Sequence, residues 1–447
     1  CPCVSPSLPC HLSENSSPHS HTMACKLRVG LFGGGVVGGG VYELIAKYTA
    51  SGKLAAVGAN IDIVKICVRS LDKPRDFQIS PTTTFTTDYE DILEDASIDT
   101  VVELMGGTTH AKDVVFAAIR AGKHVVTANK ALIASYLPEI QEALAQNPSA
   151  KFSFEAAVCG GIPIIHSLHT DFLADDITKV MGIMNGTTNF MLCKMEDEGA
   201  EYGNALQEAQ RLGFAEADPA ADVEGYDVQA KIALLAKLAF GKTVPFATVP
   251  TTGISSISAV DFEYAKILRC TIKLVGTANK NPDGTLAVFV SPTMVPMGSS
   301  LASAKGPGNM VVVNSVNMGA TTLAGPGAGR FPTANSVMSD LIRLSQGRAS
   351  EPFPVSSDIA LNNNYRSRFY VRIHCSDGLG IIRLVGTAAE ESGVSIHAIL
   401  QNPIDSHLSL DFVVTTELVN LSNVQAFARK ITAMPFAKST PVFMPMI

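Results

Sequence analysis

The sequence predicts an α/β protein in three parts: a doubly wound parallel sheet, an α+β middle segment and a smaller β-α-β-β-α-β unit of ferredoxin-like arrangement. Three observations predict it. Short apolar runs alternate with helical periodicity from Lys26 to Ala156, joined by short connections, as crossover-linked parallel strands require. After about Glu155 helical patterns dominate and the strands are set apart by Gly/Pro turns. From Arg368 the segments FYVRIHC, GIIRLVGTAAEESG, VSIHAILQ, LSLDFVVTTEL, VQAFARKI and TPVFMP follow as strand, helix, strand, strand, helix, strand.

The elements follow in order. KLRVGLF (Lys26–Phe32) is a buried strand, and Val41, Leu44, Ile45 and Tyr48 then share one helix face. IDIVKICV, DTVVEL, HVVTAN and KFSFEA are further strands. HAKDVVFAAIRAG is a helix ending at Gly122, and ALIASYLPEIQEALAQ is a helix interrupted by Pro138. In the middle, helices are expected at Thr188–Glu198, Tyr202–Leu212 and Gly225–Phe240, and strands at TLAVFVSP and NMVVVNSV. GPGAGRFPTANSVMSDLIRL is a Gly-rich turn running into a helix. These readings divide the chain into a disordered tail (1–24), a first domain (25–154, completed by 325–347), a second (155–324), a linker (348–366) and a third (367–447).

The 447 residues exceed one core, since domains run to roughly 100–200 residues. A net charge of −7 and the lack of a basic stripe exclude a nucleic-acid binder, and no apolar run is long enough to span a bilayer. Of nine cysteines, Cys25, Cys67, Cys159, Cys193, Cys270 and Cys375 are scattered singly through apolar stretches. That usage fits free thiols in a reducing compartment, so a cytoplasmic location is expected. Cys1, Cys3 and Cys10 share residues 1–22 with His11, His19 and His21, at no zinc spacing. This tail has neither a signal peptide's apolar stretch nor a transit peptide's basic residues, and reads as an unstructured extension ahead of Met23.

Gly33-x-Gly35-x-x-Gly38 follows a strand and opens a helix. Gly33 makes the tight turn, Gly35 lets backbone approach a pyrophosphate, and Gly38 lets helix and strand pack closely. The pyrophosphate would sit on the N–H groups of the helix start, around Val36 and Val37. This is the Rossmann fingerprint for a dinucleotide; a glycine turn without a ligand is the alternative. The second strand ends in ICVRSLDKPR, with Arg69 where a ribose-binding acid would stand and Lys73 and Arg75 close by. A basic residue there predicts preference for NADP(H), with NAD(H) as the alternative.

GFAEADPAADVEGYDVQAKIALLAK places five carboxylates (Glu216, Asp218, Asp222, Glu224, Asp227) ahead of Lys231. One helix start needs fewer. Asp227 and Lys231 are four apart, on one helix face, and Ile232, Leu234, Leu235 and Leu238 make the surroundings apolar. A buried functional pair is therefore expected in place of a surface ion pair. Asp218 and Glu224 read as a cap or a solvated face.

The motifs GGGVVGGGV, VVELMGG, TANKALIA, FEAAVCGGIPII, NGTTNF, GFAEADPAADVEGYDVQAKIALLA and GAGRFPTANSVMSD occur in that order between Leu27 and Ser345. Through them the chain resembles homoserine dehydrogenases of the monofunctional form. The resemblance implies reduction of L-aspartate 4-semialdehyde to L-homoserine with NAD(P)H, on the route to threonine and methionine. It implies Lys231 as acid/base and Glu216 and Asp227 on the substrate, with Asp222 nearby. Lys130 would serve both cofactor and substrate, and Gly213, Glu216 and Gly329 would close over the cofactor. Thr187, Thr188 and Asn189 would shape the pocket. Glu155, with the carbonyls of Val158, Gly160 and Ile162, would form a structural site for Na⁺ or K⁺. A homodimer or homotetramer is implied.

The last segment resembles an ACT regulatory domain, with threonine as the expected effector. Its loop reads Asp377-Gly378-Leu379-Gly380-Ile381, with leucine where the usual pattern has proline. Two alternatives to this reading remain at the level of sequence. One is another NADP-dependent reductase of amino-acid metabolism, dihydrodipicolinate reductase-like or saccharopine reductase-like; the Glu216, Asp227 and Lys231 spacing argues against it. The other is a catalytically silent NADPH-sensing protein, against which Lys130, Asp227 and Lys231 stand intact.

Overall fold

The computed structural model describes residues 26–349, 351–403 and 410–447. The expected tail at 1–24, with its Cys and His residues, lies outside them, as does Cys25.

Six parallel strands form the first sheet: β1 (Lys26–Phe32), β2 (Asn60–Cys67), β3 (Thr84–Thr86), β4 (Thr100–Glu103), β5 (His124–Thr127) and β6 (Phe152–Ser153). Their order is β3-β2-β1-β4-β5-β6, so the chain changes direction across the sheet between β1 and β4. Ligands of such sheets bind beyond the strand C-termini at that switch point. All four residues of β4 are buried, as a strand covered on both faces should be. The helix Val36–Ala50 covers one face, and the late helix Arg330–Ser345 returns to lie beside it. Ala334, Val337, Met338 and Leu341 share that core with Leu27, Val29, Val41 and Ile45.

The second sheet holds β7 (Ile177–Ile183), β8 (Cys270–Lys280), β9 (Leu286–Pro296), β10 (Gly308–Ser315), β11 (Gly319–Pro326), β12 (Arg366–Cys375), β13 (Ile396–Gln401), β14 (Leu410–Thr416), β15 (Val419–Asn420) and β16 (Val442–Met446). Its order is β11-β10-β7-β8-β9-β16-β12-β14-β13, with β15 paired to β12. The last segment therefore does not form a sheet of its own. β16 pairs parallel with β9 at Met446 and Met294, which makes one mixed sheet. Tyr370 and Arg372 of β12 also reach Asp261, at the start of the helix Ala259–Ile267, at 2.7 and 2.8 Å.

Several elements differ from the sequence expectation. β6 stops at Ser153, because Phe154 leaves the extended region and Glu155–Ala157 form a 3-10 turn. The sequence pattern missed β3, β7, β8, β11 and β15; β8 is buried at nine successive positions, so it shows no alternation. The helix Lys130–Gln146 runs through Pro138 with a kink at Tyr136. The expected linker is pinned to the body. Phe353 stacks on Phe154 with ring centroids 5.3 Å apart, and Ser356 accepts from the buried Lys237 ammonium at 3.1 Å.

Candidate active site

The glycine loop leaves β1 at the switch point. Gly33 has φ +110°, and its N–H donates to the Cys67 carbonyl at 3.0 Å, holding the turn against β2. A Cβ on Gly38 would lie 1.8 Å from the Gly33 oxygen, so only glycine lets the helix start so close to the strand. A Cβ on Gly35 would meet nothing within 4 Å; that position faces open space at the helix N-terminus. Beyond β1, β4 and β5 lies a cleft of about 310 Å³ lined by Val37, Leu104, Gly107, Asn129 and Lys130, among others. Val36 is exposed at its edge of the loop. This cradle fits a dinucleotide: free helix-start N–H groups, no side chain over Gly35, and a basic side chain at the far wall.

Two residues that the sequence did not single out hold this cleft. Glu103 ends β4 fully buried; it accepts from the Met105 N–H at 2.8 Å and from the Thr127 hydroxyl at 2.7 Å. Asn129 donates to the Gly107 carbonyl at 2.7 Å and caps the next helix through Leu132 N–H. At the second strand's end Arg69 is exposed. Arg75 is the ordered arginine: it donates to the carbonyls of Ser70, Leu71 and Lys73 and lies 4.6 Å from the Phe85 ring. Its Nε would be 3.5 Å from a Cβ on Gly34, so it borders the glycine loop. Gly329, at φ +121°, opens the helix Arg330–Ser345, where Arg330 pairs with Glu43 at 3.1 Å and with Asp76.

Lys130 is the first residue of its helix, where a cation opposes the helix dipole. Its compensation is Asp227, whose Oδ1 lies 3.0 Å from the Lys130 ammonium. The other Asp227 oxygen, Oδ2, accepts from Lys231 at 2.7 Å. Lys231 also donates to the Met184 carbonyl at 2.6 Å. Asn185 supplies a bridge that the sequence did not reveal. Its amide donates to Asp222 Oδ1 at 2.7 Å and to Asp227 Oδ2 at 3.0 Å, while its carbonyl oxygen caps the helix Gly186–Glu198 through Thr188 N–H.

Charge sets the protonation states. Burial opposes ionisation of Asp227, but the Lys231 and Lys130 ammonium groups outweigh it and hold the carboxyl well below its usual range. Burial likewise disfavours the Lys231 ammonium, yet the Asp227 carboxylate raises its pKa above the ordinary value. Asp222 moves up, first because it is desolvated.

The structure thus brings together Lys130, Asp222, Asp227 and Lys231. Gly213 and Glu216 lie on an exposed loop, and among the described residues the Glu216 side chain makes no ion pair with either lysine. Thr187 anchors that loop by donating to the Phe214 carbonyl at 2.7 Å. Asp218 accepts from Ala220 N–H, a local turn cap.

At the expected cation site the Glu155 carboxylate is held by the protein's own donors. Glu155 Oε1 accepts from Ile165 N–H at 3.0 Å, and Oε2 from His166 N–H at 2.6 Å and lies 3.1 Å from the His166 ring. The Gly160 carbonyl accepts from the Ser336 hydroxyl at 2.7 Å, and the Ile162 carbonyl from Ile164 N–H at 2.8 Å. The Glu155 side chain is thus engaged by N–H donors at the start of the helix Ile164–Thr170, while the Gly160 and Ile162 carbonyls, each accepting one hydrogen bond, keep a second lone pair.

A switch-point glycine cleft, meeting a water-shielded lysine–carboxylate pair at Lys130, defines an oxidoreductase with an NAD-binding domain. Comparison with known proteins gives the family. Residues 163–342 match the homoserine dehydrogenase family, and residues 33–155 match the homoserine dehydrogenase NAD-binding domain. The homoserine dehydrogenase of Bacillus subtilis is 39% identical over 396 residues, covering 87% of this chain and 90% of that protein. The crystal structure of a homoserine dehydrogenase from Thiobacillus denitrificans superposes with a TM-score of 0.88 at 35% identity, covering 95% of this chain and 98% of that one. A hyperthermophilic archaeal homoserine dehydrogenase in complex with NADPH gives a TM-score of 0.59 at 25% identity, over 74% of this chain and all of that one (100%). The chain belongs to the homoserine dehydrogenase family and is an oxidoreductase of that activity. Among the described residues no helix is long and apolar enough to cross a membrane.

Proposed function

We propose that the enzyme uses NADPH in preference to NADH to reduce L-aspartate 4-semialdehyde to L-homoserine, with Lys231 as the proton donor. The observation that carries this is Lys130. It lines the dinucleotide cleft and pairs at 3.0 Å with Asp227, whose second oxygen holds Lys231 at 2.7 Å, so one chain of contacts links cofactor cleft and acid. NADPH supplies the hydride when bound. Lys231, kept as an ammonium by Asp227, gives its proton to the alkoxide oxygen as charge develops there. Lys130 offers that oxygen a second positive charge. Asp222 and Glu216 take the substrate's α-ammonium group, Glu216 by movement of its exposed loop. Asn185 keeps Asp222 and Asp227 oriented by donating to both. No step runs through a monovalent cation.

Arg75 beside the glycine loop and Arg69 just past the end of β2 support the NADPH preference, as does the archaeal relative solved with that cofactor. Residues 367–447 are proposed as an ACT-type regulatory unit with threonine as effector, acting in a homodimer or homotetramer. Leu379, in place of the usual proline, is fully exposed there. The test of the reaction is the loss of cofactor absorbance with L-aspartate 4-semialdehyde, NADPH against NADH. A higher kcat/KM with NADPH is expected, and no turnover with either cofactor contradicts the reading. Millimolar threonine should lower the rate or shift the melting temperature; no change in either removes the regulatory assignment.

A further inference from the structure

Lys273 of β8 is fully buried, and its ammonium nitrogen lies 3.2 Å from the Cys193 sulfur. Its other two contacts are the Asn189 amide oxygen at 3.1 Å and the Ala304 carbonyl at 3.0 Å. Among the described residues no carboxylate forms an ion pair with Lys273, and no other cysteine sulfur has a lysine nitrogen at hydrogen-bonding distance. A buried ammonium without a carboxylate is costly, and the reactive group facing it is a thiol. Cys193 itself is almost closed from solvent, in a polar nook, with its sulfur 3.8 Å from the Ala304 carbonyl and 3.9 Å from Asn189 Oδ1.

We propose that Cys193 and Lys273 form a peroxide-responsive modification site, closing to a covalent sulfur–nitrogen bridge. The thiolate sulfur, stabilised by the N–H group aimed at it, attacks one oxygen of hydrogen peroxide. The S–O bond forms, the O–O bond breaks, the departing hydroxide takes a proton from the Lys273 ammonium and leaves as water, and Cys193 becomes a sulfenic acid beside a neutral amine. Sulfenic acids condense with nearby thiols or nitrogens. Here the neutral Lys273 amine attacks the sulfur. The N–S bond forms, the S–O bond breaks, and the hydroxyl leaves as water with a proton from the amine. In sum the thiol and the amine each lose one hydrogen, and one hydrogen peroxide is reduced to two waters. The bridge ties the helix Gly186–Glu198, whose cap Asn185 orients Asp222 and Asp227, to the sheet strand β8 across 80 residues of chain. Both groups already stand in contact, so neither element has to move far. The proposal is independent of the substrate and cofactor assignments above.

The experiment treats the purified full-length protein with an equivalent of hydrogen peroxide, then maps it by peptide mass without reductant. The expected product is a peptide pair joining Cys193 to Lys273, lighter by two hydrogens than the sum of the two peptides and separated again by a thiol reductant. In Lys273→Met that pair is absent and a dimedone-type trap labels Cys193 instead. Three outcomes overturn the proposal: Cys193 unmodified in the wild type, trap labelling of Cys193 in the wild type equal to that in the variant, or a linked product heavier by an oxygen atom. The wild-type map decides the matter even if Lys273→Met fails to fold.

Discussion

The Asp227 carboxylate lies 2.7 Å from the Lys231 ammonium, one helical turn away, and both side chains are largely shielded from water. On an open surface such an i,i+4 pair would be worth about 0.3–0.5 kcal/mol. Buried, loss of one partner leaves an uncompensated charge and costs roughly 3–5 kcal/mol. The pair also fixes chemistry, because the carboxylate is what keeps Lys231 protonated.

Asp227→Asn should therefore move the alkaline limb of the reduction rate to lower pH. The Lys231 pKa stands above its ordinary value, so in the wild type the ammonium persists as pH rises and is lost only above that value. Without that carboxylate the largest group opposing burial is gone, Asp222 remains as a weaker one, and the pKa falls. A close opposite charge is typically worth about 1–3 pH units. Profiles of kcat against pH for both proteins measure the shift; coincident limbs would mean Asp227 does not control the acid.

Asn185→Ala removes two hydrogen bonds to carboxylates and the cap of the helix Gly186–Glu198. Loss of the cap costs about 0.5–2 kcal/mol. Denaturant unfolding should show that loss, and kcat should fall while cofactor affinity stays near wild type, because Asn185 does not line the dinucleotide cleft.

The glycine loop separates packing from binding. Gly35→Ala meets nothing within 4 Å, so its melting temperature should match wild type while its NADPH affinity falls. Gly38→Ala drives a Cβ into the Gly33 carbonyl, so both stability and affinity should fall. Thermal melts and NADPH titration of the two variants check the contrast; equal binding by Gly35→Ala and wild type would place the pyrophosphate elsewhere.

Arg75→Ala should lower the NADPH preference more than Arg69→Ala, since Arg75 is the arginine held against the loop and Arg69 is exposed. The ratio of kcat/KM for NADPH and NADH in each variant decides it. A ratio unmoved by both substitutions removes these arginines from cofactor choice.

What the sequence made legible was local. Gly33, Gly35 and Gly38 carry their reasons within six residues, and Asp227 and Lys231 meet because they are four apart on one helix. The contact of Lys130 with Asp227 spans the chain, and only the resemblance brought the two together beforehand. Asn185 had no local signal for its bridge to Asp222 and Asp227, 37 and 42 residues on. β8 escaped because burial of both faces erases alternation. The joining of β16 to β9 rests on a single pairing, which no local pattern encodes. The resemblance placed Glu155 at a cation site, and nothing local revealed that its side-chain oxygens accept from the Ile165 and His166 N–H groups.

The most direct test of the central claim is NADPH oxidation by Lys231→Ala with saturating L-aspartate 4-semialdehyde. General acid catalysis is typically worth about 10²–10⁴-fold. A fall in kcat of at least about 100-fold, with NADPH affinity retained, is the predicted result. A rate within a few fold of wild type would contradict the account and move the proton to Lys130 or to solvent.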